Sequence, residues 1–193
     1  MFDRKAYFVK ERVAVLKLTD TFDILDPETK QTIGMAQERI SGGLKVLRLL
    51  INKRLLPTTV VISEREGGPA LLTIKRGVSL LHAKVKVLDA NGSLIGSFKS
   101  KLFSIGGAFR VFDGNDREVA LVQGNFVGWN FELRDMSGRR LGAVTKKWAG
   151  IGKELFTSAD NYVIALEAQG LPTAMNALLL AAGIAIDTVF KEK

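Results

Sequence analysis

Few side chains in this sequence have the chemistry for catalysis or for holding a metal. The chain has no cysteine and one histidine, His82. These counts exclude a thiolate zinc site, a cysteine nucleophile and any metal site or proton relay that needs two histidines. His82 lies at a polar position of the alternating segment LHAKVKVLD (81–89), which favours an ordinary surface histidine over a catalytic one.

Two glycine-containing segments resemble parts of known catalytic motifs. SGG (41–43) and GIGKE (150–154) hint at glycine loops, but neither completes the phosphate-binding loop pattern. ISGG also lacks the spacing of the serine nucleophile elbow, and a serine nucleophile would have only His82 as its base. We therefore predict no catalytic residues, no cofactor and a protein that is not an enzyme.

Basic residues are the clearer chemical signal. The sequence contains 28 lysines and arginines against 20 acidic residues, a net charge of +8, with a pI near 9.8. Such an excess suits an anionic partner, either nucleic acid or an acidic lipid surface, and is also compatible with general solubility. The charges in MFDRKAYFVKERVAV (1–15) interrupt every apolar stretch there, so we expect no secretory signal peptide and predict a cytoplasmic location.

Four acidic residues recur in a pattern that predicts turns, not metal ligands. Asp26, Asp89, Asp113 and Asp135 each follow an alternating apolar stretch and precede a polar turn and an apolar–small pair. An Asp at the start of a turn accepts hydrogen bonds from backbone N–H groups two residues on, so each segment is typical of a β-hairpin. One acid in each of several separate turns makes a poor ligand cluster. The segments are FDILDPETKQTIG (22–34), VKVLDANGSLIG (85–96), FRVFDGNDREVA (109–120) and FELRDMSGRRLG (131–142).

Strand-like patterns continue between these hairpins. TTVVISEREGGPALLTIKR (58–76) predicts another hairpin, and RVAVLKLT (12–19) and NYVIAL (161–166) predict further strands. The total is about a dozen strands in a single domain over residues 1–193. The expected fold class is mainly β, with two apolar segments that lack the periodicity of strands.

The two remaining segments predict helices with different roles. In about 43–55 the apolar residues line one face, which is typical of an amphipathic helix that caps the β-structure or lies on an acidic membrane. In about 173–190 the apolar run from Ala177 to Ile186 is about half the length of a bilayer span. This run is apolar on all sides, so we expect it to fill the centre of a closed barrel of about twelve strands. An Ala182→Arg substitution should then unfold the domain.

The last quarter of the chain resembles the phospholipid scramblase family. LGAVTKKWAGIGKELFTSADNYVIAL (141–166) and ALLLAAGIAIDTVFKEK (177–193) are similar to the C-terminal signature of that family, and VQGNFVGWNFELRD (122–135) continues the likeness upstream. Plant LURP-one-related proteins and, more remotely, tubby C-terminal domains are further relatives. The resemblance implies a tubby C-terminal-like fold, in which a closed β-barrel of about twelve strands surrounds a central hydrophobic C-terminal α-helix.

A degenerate calcium segment accompanies this resemblance. SADNYVIALEAQGL (158–171) aligns with the calcium-responsive region of animal scramblases, and Asp160, Asn161 and Glu167 are its remaining side-chain oxygen ligands. Calcium takes about six to eight oxygens, so we expect no metal site. Because the chain has no cysteine to carry a palmitoyl group, membrane attachment would depend on charge and be reversible.

Resemblance and charge together predict a scramblase-related, non-enzymatic module that binds an acidic phospholipid surface or headgroup. It would act peripherally at the inner face of the membrane, in lipid homeostasis or regulation. Lipid translocation is less favoured, since a filled barrel offers lipids no path. The alternative is a module that binds nucleic acid or a regulatory protein, although scattered aromatic residues disfavour a platform for stacking bases. The candidate lipid-binding residues are Lys45, Arg48, Lys53, Arg54, Lys146, Lys147 and Trp148.

Overall fold

The computed structural model describes residues 1–12, 19–40, 43, 56–77, 84–100, 107–147 and 161–187. Twelve antiparallel strands there close into one barrel, because each strand pairs with its neighbours in sequence and β1 pairs with β12. The predicted mainly β fold class with a closed barrel is confirmed. The strands are β1 (Ala6–Glu11), β2 (Thr21–Leu25), β3 (Thr32–Arg39), β4 (Thr58–Ser63), β5 (Leu72–Arg76), β6 (Lys84–Asp89), β7 (Leu94–Ser100), β8 (Ala108–Asp113), β9 (Glu118–Asn125), β10 (Asn130–Asp135), β11 (Arg140–Thr145) and β12 (Tyr162–Leu166).

Successive connections lie at opposite ends of the barrel, because each strand is antiparallel to the next. One end carries the β2–β3, β6–β7, β8–β9 and β10–β11 turns, which begin at the four repeated aspartates, and we call it the Asp end. The other end carries the β9–β10 turn and the residues that follow β11, among them Lys146 and Lys147. We call it the Lys end.

The aspartates organise their turns as the sequence predicts. Asp89 Oδ1 accepts backbone N–H bonds from the residues two and four positions on, at 2.9 and 2.8 Å. Asp113 and Asp135 accept the equivalent pairs, with every bond 2.9 Å long. Asp26, whose loop is longer, accepts bonds from the residues two and three positions on. Turn chemistry is therefore confirmed for these aspartates.

A left-handed backbone position completes each of these turns. Gly92 and Gly138 occupy it with φ of 81° and 85°. Asp116 occupies it in the β8–β9 turn and Lys30 in the longer β2–β3 turn, both with φ of 59°. In these two turns a residue with a side chain occupies a backbone conformation that glycine would adopt at lower energy.

The C-terminal helix α1 (Thr173–Ala185) fills the lumen. It contacts β5, β7 and β12, which lie on different sides of the barrel, and its residues from Ala177 onward are buried. The predicted helix over about 173–190 starts where expected; Ile186 and Asp187 continue it as a π-helical turn, and 188–190 lie outside the described residues. Within the described ranges, no helix has the length and hydropathy to cross a bilayer.

Two glycines mark the closest approaches between α1 and the barrel wall. A Cβ added at Gly96 of β7 would lie 2.7 Å from Leu178 Cδ1. A Cβ added at Gly183 of α1 would lie 2.6 Å from Ile164 Cδ1 on β12. At neither contact would a methyl group fit without a shift of the neighbouring atoms, so α1 packs tightly against the barrel strands.

Strands β1 and β12 are buried on both faces. Tyr7, Phe8 and Val9 are each at most 2% exposed, and every residue of β12 is buried. The observed β1 precedes the strand predicted at RVAVLKLT (12–19), of which the structure describes only the first and last residues. The amphipathic helix predicted over about 43–55 also lies outside the described residues, apart from Gly43.

Candidate anionic-surface site

Two of the predicted lipid-binding residues, Lys146 and Lys147, lie side by side at the Lys end. They follow β11, whose last residue, Thr145, accepts the backbone N–H of Lys147 on its Oγ1 at 3.0 Å. The ammonium of Lys146 lies 4.7 Å from the centre of the Trp129 ring, a cation–π contact. Lys147 is exposed. The Lys end thus presents one cation held over an aromatic ring and a second that faces solvent.

An aromatic cluster holds Trp129 in place. Its ring packs edge-on against Phe126 and Phe131, with ring centres 6.1 and 6.0 Å apart, and its centre is 5.9 Å from that of Tyr162. The tryptophan is 4% exposed. Its φ of 45° is left-handed, which is costly for a bulky residue. The packing of this cluster therefore stabilises the left-handed conformation of Trp129.

A larger basic surface lies on the outside of β5–β8. Five basic residues alternate there with buried apolar residues, so their side chains point outward. The register places Lys75 opposite Lys86, Lys84 opposite Lys99, and Lys99 opposite Arg110. We call these five residues the basic wall.

Two cations of the basic wall have acidic neighbours. Lys99 Nζ lies 3.0 Å from Asp116 Oδ1, and Arg110 Nη1 lies 3.5 Å from Glu118 Oε2. The hydrogen bond from Lys99 holds the pKa of Asp116 below its ordinary value of 3.8, and the charge of Lys84 acts in the same direction. Asp116 is therefore ionised at neutral pH and offsets part of the positive charge of the wall.

The other three cations, Lys75, Lys84 and Lys86, have no ion pair with any residue in the described part of the chain. Like charges directly opposite each other on neighbouring strands destabilise a sheet by roughly 0.2–1 kcal/mol per pair. The wall contains three such pairs, and the acidic neighbours of Lys99 and Arg110 offset only part of the repulsion. An anionic partner would relieve the repulsion, so the wall has the charge and the geometry of an anion-binding surface.

Comparison with protein families agrees with this chemistry. A family model described as Scramblase matches residues 16–193. The chain belongs to the scramblase family. The match covers β2 to α1, so the predicted resemblance to the scramblase family is confirmed. Membership of this family suggests an association with lipid or membrane in general terms. Comparison with curated proteins returned no significant match, and comparison with solved structures returned none either.

Five further predicted lipid contacts of this scramblase-family protein lie outside the described residues. The structure therefore brings Lys146 and Lys147 together and leaves the others as predictions. These others are Lys45, Arg48, Lys53, Arg54 and Trp148.

The degenerate calcium segment of the scramblase-family protein is spread along β12. Asn161 precedes this strand at the Lys end, Glu167 follows it at the Asp end, and Asp160 lies outside the described residues. Six residues of extended chain separate the first two by roughly 20 Å, so they cannot bind one calcium ion together. Glu167 instead pairs with Arg140 at 3.1 Å. Among the described residues, no three acidic or histidine side chains converge in a way that could hold a metal.

Sequence reasoning missed the basic wall as a site of the scramblase-family protein. It assigned Lys84 and Lys86 to a polar strand face, which their exposure confirms. The signal for the other three was a basic residue at an outward position in each of LTIKR, LIGSFKS and AFRVFD. That these positions face each other follows only from the pairing register.

Proposed function

We propose that this protein is a non-enzymatic module that binds an acidic phospholipid surface through the basic wall. The observation that carries the proposal is the set of like charges facing each other across β5–β8. Membership of the scramblase family supports a lipid-associated role, and the net charge of +8 supports an anionic partner. Residence at the cytoplasmic face of a membrane is part of the same proposal.

The shape of the wall suits a surface better than a single small ligand. Adjacent strands lie about 4.8 Å apart, so β5–β8 span about 14 Å, and Lys84 and Lys86 are about 7 Å apart along their strand. Lys75, Lys84 and Lys86 are exposed on a convex barrel. Sites for small molecules are concave and bury most of the ligand, whereas this array meets several phosphates of a bilayer at once.

The expected affinity is modest and depends on salt. A lysine or arginine near an acidic bilayer contributes about 1 kcal/mol. The five wall residues with Lys146 and Lys147 would together supply at most about 7 kcal/mol, because Asp116 and Glu118 offset part of the charge of the wall. The dissociation constant should therefore be roughly 10 µM or weaker. The charges are at the surface and are screened over about 8 Å at physiological ionic strength. Binding should therefore be reversible and should weaken as salt is raised.

Flotation with lipid vesicles tests the proposal. Vesicles that contain phosphatidylglycerol should carry the wild-type protein to the top of a density gradient, and vesicles of phosphatidylcholine alone should not. A triple variant, Lys75→Gln with Lys84→Gln and Lys86→Gln, loses about 3 kcal/mol of attraction and should bind more than a hundredfold more weakly. Because these side chains are exposed, the variant should fold as the wild type does.

The chain offers a control with the same change in net charge. Lys5, Lys30 and Arg65 are exposed at the Asp end, away from the wall. Replacing these three by glutamine also removes three positive charges and should leave most of the vesicle binding intact. Equal losses in the two triple variants would show that net charge alone, and not the wall, attracts the membrane. Absence of binding to phosphatidylglycerol vesicles at low salt would refute the proposal.

Nucleic acid is the competing anionic partner, because a wall of lysines also attracts a phosphate backbone. Binding of nucleic acid would depend on the same basic residues as binding of lipid, so nucleic acid and vesicles must be compared in one experiment. Mixed-sequence duplex DNA added in excess of lipid phosphate should fail to displace the protein from anionic vesicles. Complete displacement, together with a gel shift that the wall variant loses, would favour nucleic acid instead.

A further inference from the structure

The β9–β10 turn ends in an exposed apolar side chain. Val127 is 95% exposed, although its neighbours Phe126 and Trp129 fold back into the core. Its backbone N–H donates to Asn125 Oδ1 at 2.7 Å, and the Trp129 cluster holds the base of the turn. Polar residues and glycine are the usual occupants of such a turn. The turn therefore presents a valine to solvent.

The position of Val127 distinguishes it from other exposed apolar residues. Leu94 and Met136 are 44% and 60% exposed, and both lie at the Asp end beside acidic turns. Val127 lies at the Lys end, two residues from Trp129, over which the Lys146 ammonium is held. β9 also pairs with β8, the last strand of the basic wall. The wall residues lie in the parts of β5–β8 nearest the Lys end, so the apolar tip lies near the same rim of the barrel as these cations.

We propose that Val127 enters the bilayer interface when the basic wall binds acidic headgroups, so that the barrel docks on the side of β5–β9 with its Lys end tilted towards the membrane. This inference rests on the proposed function. Cations near an apolar tip are complementary in charge to a surface where anionic headgroups overlie acyl chains. Because Val127 is already exposed on the folded barrel, insertion needs no refolding of the protein.

The expected contribution of the tip is moderate. Burial of a valine side chain in an apolar environment corresponds to about a tenfold gain in affinity. Val127→Asp should therefore weaken binding to phosphatidylglycerol vesicles by about tenfold or more, because it also adds a charge of the wrong sign. Met136→Asp makes the same chemical change at the opposite end and should have a smaller effect.

Site-specific labelling tests the inference directly, since the chain has no cysteine. Val127→Cys and Met136→Cys would each be labelled with the environment-sensitive fluorophore NBD and mixed with phosphatidylglycerol vesicles. The label at position 127 should shift to the blue and brighten, and the label at 136 should not change. Flotation of the same samples reports how much protein is bound.

The outcomes separate this inference from the proposed function. Bound protein with an unchanged label at 127 would overturn the insertion of the tip and leave binding by the wall standing. Equal shifts at 127 and 136 would also overturn it, because they indicate unfolding on the membrane. Protein that neither floats nor shifts would refute both proposals together.

Discussion

Replacing Leu180 by alanine tests whether α1 is part of the core. Leu180 is 0% exposed, on a helix that contacts β5, β7 and β12. The change removes three carbons, each worth about 0.8 kcal/mol when buried, and leaves a cavity that the strands fill incompletely. We expect the free energy of unfolding to fall by about 2.5–5 kcal/mol. At about 2–4 °C per kcal/mol for a chain of this length, the Tm should fall by roughly 5–20 °C.

Urea denaturation monitored by circular dichroism measures this loss of stability, and calorimetry gives the Tm. Met136→Ala is the matched control, because Met136 is 60% exposed and its truncation should change the free energy of unfolding by less than about 0.5 kcal/mol. The slope of the denaturation curve should be the same in both variants. A Leu180→Ala protein as stable as the control would refute a core role for α1 and identify it as a detachable segment.

Three further predictions concern folding and its pH dependence. Ala182→Arg should give no soluble folded protein, because an unpaired buried charge costs several kcal/mol against a total stability of about 5–15 kcal/mol; a soluble, cooperatively melting variant would contradict this. Lys30→Gly should raise the free energy of unfolding by about 1 kcal/mol in urea titrations, because glycine relieves the left-handed backbone at φ 59°, and a loss of stability would contradict the assigned strain. A backbone N–H bond holds the pKa of Asp26 below 3.8, and a serine hydroxyl does so for Asp135. Because both pKa values are lower in the folded state than in the unfolded state, the ionised carboxylates stabilise the protein at pH values above the ordinary pKa. This contribution is lost as the pH falls through the folded pKa. Replacing both by asparagine, which keeps the acceptor oxygen, should flatten the acid side of a plot of stability against pH; an unchanged plot would show that these groups are not coupled to folding.

The features that could be predicted from the sequence are local ones. An aspartate that organises a turn acts on backbone groups two to four residues away, so a short segment such as VKVLDANGSLIG contains the whole interaction. The central helix was predictable for a similar reason. Its run from Ala177 to Ile186 is apolar on all sides and too short for a membrane, which leaves the barrel lumen as its site.

The features that escaped prediction depend on contacts between distant segments. β1 has no alternation because Tyr7, Phe8 and Val9 are all buried, so its pattern does not look like a strand with one wet face. The basic wall depends on the pairing register of the strands. The register of β6 with β7 shifts between Val87 and Leu88, and such irregularities decide which residues face each other. No count of lysines predicts that arrangement.

The turn that presents Val127 was unpredictable for a related reason. Trp129 adopts a left-handed φ of 45°, a conformation that its residue type disfavours. The surrounding rings, which come from the turn itself, β10 and β12, make that conformation stable. Local propensity therefore points away from the observed turn, and tertiary packing overrides it.

The most direct test of the basic wall as a membrane-binding surface is the dissociation constant for phosphatidylglycerol vesicles at physiological ionic strength. It should be measured on the wild type and on the triple variant of Lys75, Lys84 and Lys86. Binding through the basic wall predicts a value of roughly 10 µM or weaker for the wild type and an increase of more than a hundredfold in the variant. The same affinity in both proteins would contradict the assignment of the basic wall as the membrane-binding surface.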